Sequence, residues 1–108
     1  TPLDTTDGVF FISADGDAGL DFLVEKDNSN TTTEDVATMA DDTFITVAWF
    51  IDPDASKVYY SINNAEPVGV VNTNLPDDEE LTVSFGIQNG EASAQTMTID
   101  YVNVLIER

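Results

Sequence analysis

Cysteine and histidine are absent, and Lys26, Lys57 and Arg108 are the only cations against 21 Asp and Glu, which gives a formal charge of −18 over 108 residues. These absences exclude whole classes of chemistry. There is no thiol nucleophile, imidazole base, disulfide or zinc site of the usual kind, and the lack of Cys leaves the redox compartment open. Three cations cannot neutralise a run of phosphates, so nucleic acid and anionic membrane are excluded as partners. No stretch approaches the ~20 apolar residues of a membrane span. The opening Thr1-Pro2-Leu3-Asp4 has neither an initiator Met nor a basic, apolar signal region. It reads as the start of a single domain over residues 1–108 that lacks N-terminal residues of the full protein.

What is present is patterned. Hydrophobic residues make up 42% of the chain, as in ordinary globular proteins, and they fall in short runs. A charge this large often accompanies disorder, but periodic apolar runs are what a folded core requires. The runs are rich in β-branched and aromatic residues and are separated by Asp, Asn, Gly and Pro clusters, which predicts strands over 8–14, 19–26, 35–40, 44–51, 57–63, 67–72, 81–88 and 96–107. In 81–88, Leu81, Val83, Phe85 and Ile87 alternate with Thr82, Ser84, Gly86 and Gln88, the signature of a strand with one wet face. Residues 44–51 are apolar on both parities, as in a strand covered on both sides. In the last run the apolar parity switches from Met97, Ile99 and Tyr101 to Val102, Val104 and Ile106. A β-bulge near Tyr101 and Val102, or burial of both faces, accounts for that switch.

Turn chemistry predicts antiparallel pairing. Asp52-Pro53-Asp54-Ala55-Ser56 reads as a hairpin loop, and Asn63-Asn64 suits a two-residue turn because Asn tolerates positive φ. Together they predict a three-stranded meander over 44–71. Thr32-Thr33-Glu34-Asp35 matches a helix-capping pattern, yet so short a helix is marginal, and strand or irregular structure is the preferred reading.

The acidic clusters Asp15-Gly16-Asp17, Asp41-Asp42, Asp52-Pro53-Asp54 and Asp77-Asp78-Glu79-Glu80 supply hard oxygen ligands of the kind Ca²⁺ takes. None follows the EF-hand pattern, and all lie in predicted turns where Asp is common for backbone reasons, so no metal site is assigned. Asp21 and Glu25 share a strand face, but a separation of roughly 13 Å along a strand is too long for a glycosidase pair. Trp49 lies in a doubly apolar run and is expected in the core, while Tyr59 and Tyr60 point to opposite faces and leave at most one ring for stacking on a sugar. Asn30-Thr31-Thr32 fits a glycosylation sequon that matters only in a eukaryotic secretory pathway. No phosphate loop, nucleophile elbow or serine-base pair is present, and no catalytic or cofactor-binding residue is assigned.

The order of these motifs resembles a known family. Gly8-Val9-Phe10-Phe11 before an acidic turn, the run from Leu20 to Lys26, Asp42-Thr43-Phe44 leading to Val47-Ala48-Trp49-Phe50, and Tyr59 to Asn64 followed by Val68-Gly69 resemble the concanavalin-like, laminin-G-like jelly rolls. Leu75-Pro76-Asp77-Asp78-Glu79-Glu80-Leu81, then Gly86-Ile87-Gln88-Asn89-Gly90, then Met97 to Val102 and the terminal Glu107-Arg108 look like the end of such domains in tailed-phage structural proteins. The resemblance spans nearly the whole chain and rests on strands and turns. It implies an all-β, antiparallel two-sheet β-sandwich of jelly-roll type. It further implies a non-enzymatic capsid-surface decoration or cement protein of a bacteriophage virion, extracellular, multimeric on a symmetric shell and bound to the major capsid protein or other virion proteins. The acidic strand motif of the sugar-cleaving members is missing, and the calcium-lectin loop is incomplete, so no site residue carries over. The alternative is a carbohydrate-binding module that takes a glycan on a concave sheet face.

Overall fold

The computed structural model describes residues 5–71, 73–88, 90, 92 and 94–106, and strand is the regular secondary structure among them. Strands β1 (Gly8–Ile12), β2 (Gly19–Lys26) and β3 (Ser29–Thr38) form one antiparallel sheet in the order β1-β2-β3. Strands β4 (Val47–Asp52), β5 (Lys57–Ile62) and β6 (Val68–Val71) form a second in the order β4-β5-β6. The expected meander over 44–71 is this second sheet.

Local chemistry explains the first sheet. Asp27 and Asn28 join β2 to β3 at φ 51° and 62°, a left-handed turn that short polar side chains tolerate. The turn is tied down at once, because Asp27 N donates to Asp7 Oδ1 at 2.9 Å and Asn28 N to the Thr6 carbonyl at 3.0 Å. β3 therefore begins six residues before the strand expected from residue 35, and the β-branched Thr31, Thr32 and Thr33 extend it. Thr32 to Asp35 cap no helix. Beyond Thr33 the register shifts between Leu20 and Phe22, Asp35 takes φ 54°, and its N–H donates to Asp21 Oδ1 at 2.8 Å. The Asp21 carboxylate thus replaces a ladder partner lost at the bulge.

The second sheet follows its turns. In the β4–β5 loop Asp52 Oδ1 accepts from Ala55 N at 3.2 Å and the Pro53 carbonyl from Ser56 N at 3.4 Å, so the hairpin predicted there forms. Asn63 and Asn64 do adopt φ 52° and 59°. Their connection is longer than two residues, however, since the ladder resumes only at Tyr60 opposite Val68, past Pro67, which has no N–H to give. Asn63 also grips the start of the meander, accepting from Thr46 N through Oδ1 at 3.0 Å and donating its own N–H to the Thr46 carbonyl at 2.7 Å.

The two sheets share one core. Phe22 and Val24 of β2, Val58 of β5 and Leu75 are buried, with Val9, Phe11, Val36, Ile51, Tyr60 and Val70 packed around them. The Phe22 ring lies 5.0 Å from Phe11 in its own sheet and 5.0 Å from Tyr60 in the other. Residues directly opposite in a ladder share a face, so Trp49, paired with Tyr60, is on the core-facing side, and Phe50, paired with Tyr59, is on the other.

Three expectations are corrected. Residues 81–88 and the described part of the expected final strand, 96–106, belong to neither sheet, so the alternation of 81–88 and the parity switch at Tyr101 and Val102 have no ladder to act on. Alternation fixes which side chains share a face, whereas a strand also needs a partner edge, and that is a tertiary matter. Trp49 faces the core side but keeps 39% of its surface exposed, on a strand that lies at the edge of its sheet. Asn72 and Glu107 of the predicted strands, and Asn89 and Arg108 of the motifs that carry the resemblance, lie outside the described residues.

Candidate binding surface

Connections after β6 are pinned before they become open. Leu75 and Pro76 are buried, and Asn74 Nδ2 donates to Thr31 Oγ1 at 3.0 Å. Lys26, at the end of β2, reaches Asp77 at 2.8 Å and Asp78 at 2.9 Å. The hydrogen bonds that Lys26 donates to these two carboxylates raise its pKa, and the Lys26 ammonium in turn holds Asp77 below the usual carboxylate range. Farther along, Gly90 packs against the Asp15 carboxylate, where a Cβ would come within 2.5 Å of Oδ2. Residues 81–88 are therefore tethered near one end of β2 and near the loop between β1 and β2.

Between these tethers the chain borders an open, solvent-filled space lined also by β1, by β4 and by residues 95–106. Its walls are mixed: Phe85 is 56% exposed, and Val83, Ile87, Val104 and Trp49 are exposed too, while ten Asp and Glu, among them Asp15, Asp17, Asp42 and Glu79, also line it. The edges of β1 and β4 end their sheets there, each with backbone donors and acceptors outside the ladders.

A second surface lies on the outer face of β4 and β5. Phe50 and Tyr59 stack with centroids 4.9 Å apart and planes 9° apart, and Phe50 is half exposed. The stack is possible because Gly69 of β6 lies beside Tyr59; an added Cβ would come to 2.8 Å of its ring. The opposite orientations expected for Tyr59 and Tyr60 are found, since Tyr60 turns inward onto Phe22.

The carboxylates do other work. Asp7 lies below its ordinary pKa because it accepts the Asp27 backbone N–H, then the Thr6 hydroxyl at 2.7 Å. Asp17 Oδ1 accepts from Gly19 N at 2.8 Å, which closes the turn into β2. Asp21 and Glu25 share the face of β2 opposite Ile12 and Gly8, with Leu23 between them. Among the described residues no group of three His, Cys, Asp or Glu side chains is placed to hold a metal ion. Asn30 of the sequon is exposed on β3. Sequence reasoning missed the β2–β3 hairpin, although Asp27-Asn28 between the apolar run of β2 and the β-branched Thr31 to Thr33 carried its signal. It also missed Phe50 as the exposed aromatic. Comparison with family models, curated proteins and solved structures finds no match to this chain.

Proposed function

We propose that this chain is a non-enzymatic structural domain of a bacteriophage virion, a jelly-roll β-sandwich that decorates or cements the capsid surface, binds the major capsid protein or neighbouring virion proteins, and is present in multiple copies. The observation that carries this reading is the set of exposed apolar side chains on β4, 81–88 and 97–106, beside the open edges of β1 and β4, since exposed apolar surface marks contact with a partner. The two antiparallel sheets with one shared core are compatible with the jelly-roll order of motifs in the sequence. The acidic turns then keep the outward surface hydrated and discourage unspecific clustering. The test is mass spectrometry of purified particles combined with co-sedimentation of the chain with capsids stripped of it. Absence from particles and failure to rebind stripped capsids refute the reading.

The second reading is a carbohydrate-binding module, favoured by the stacked, half-exposed Phe50 and Tyr59 on the outer sheet face. A glycan array decides it. Saturable binding that disappears in Phe50→Ala supports it, and a silent array at millimolar sugar refutes it.

A further inference from the structure

We draw no further inference here: the strongest candidate, the exposed apolar side chains of residues 81–88 and 97–106 beside the open edges of β1 and β4, already carries the proposed function, and nothing in the structure shows what covers them.

Discussion

Phe22 is the residue on which the joining of the two sheets depends. It is fully buried and touches Phe11 in its own sheet and Tyr60 in the other. Phe22→Ala should cost about 3–5 kcal/mol by transfer and cavity terms, much of the roughly 5–15 kcal/mol that holds a chain of this length together. Phe22→Leu is the better probe, since it keeps apolar bulk and removes the two ring pairs, each worth about 0.5–1.5 kcal/mol. The expected loss is about 1–3 kcal/mol, which moves the urea midpoint by about 1 M for a slope near 1.5 kcal/mol/M. Trp49 is the single tryptophan and faces the core side, so its fluorescence follows the transition. A double-mutant cycle then isolates the contact between sheets. Phe22→Leu with Tyr60→Leu should show a coupling of about 0.5–1.5 kcal/mol, and Phe22→Leu with Phe11→Leu should couple by a similar amount within one sheet. Coupling to Phe11 with none to Tyr60, within about 0.3 kcal/mol, refutes the joining of the two inner faces at this point.

Other positions give independent tests. Gly69→Ala should destabilise by about 1–3 kcal/mol, because the new methyl displaces the stacked Tyr59 ring, and an unchanged urea midpoint contradicts the packing described for β6. Asn64→Val should cost about 1–2 kcal/mol at φ 59°, where a β-branched side chain is strained; a neutral result places the turn elsewhere. The pKa values of Asp7 and Asp77 are lowered in the folded chain, so the stability they contribute is complete above the unfolded value near 3.8 and is lost as pH falls through the folded values. Asp7→Asn with Asp77→Asn should therefore flatten the loss of stability below about pH 4, and parallel acid curves for variant and wild type contradict it. Repulsion among 21 acids should fall with screening, so thermal scans should show Tm rising from low to seawater-like NaCl; a flat response means that the acids are already compensated by bound cations or by a basic partner.

The sequence by itself determined the local geometry. Alternation and β-branching located β2 to the residue and β1, β4, β5 and β6 to within a few positions, and Asp, Asn and Pro marked the loops of the meander, because strand faces and turns depend on nearest neighbours in the chain. The charge of −18 was equally legible, as were the chemistries that missing Cys and His exclude. Tertiary structure decided what neighbours cannot. It extended β3 through the Asp27-Asn28 turn and the Asp21–Asp35 bulge contact, turned Tyr60 inward onto Phe22, and left Phe50 outside beside Tyr59. It also left 81–88, the clearest strand pattern in the chain, without a ladder. Periodicity records which side of a segment is apolar, but the edge it pairs with and the surface that covers it lie far away in sequence, and only the packing of whole layers supplies them.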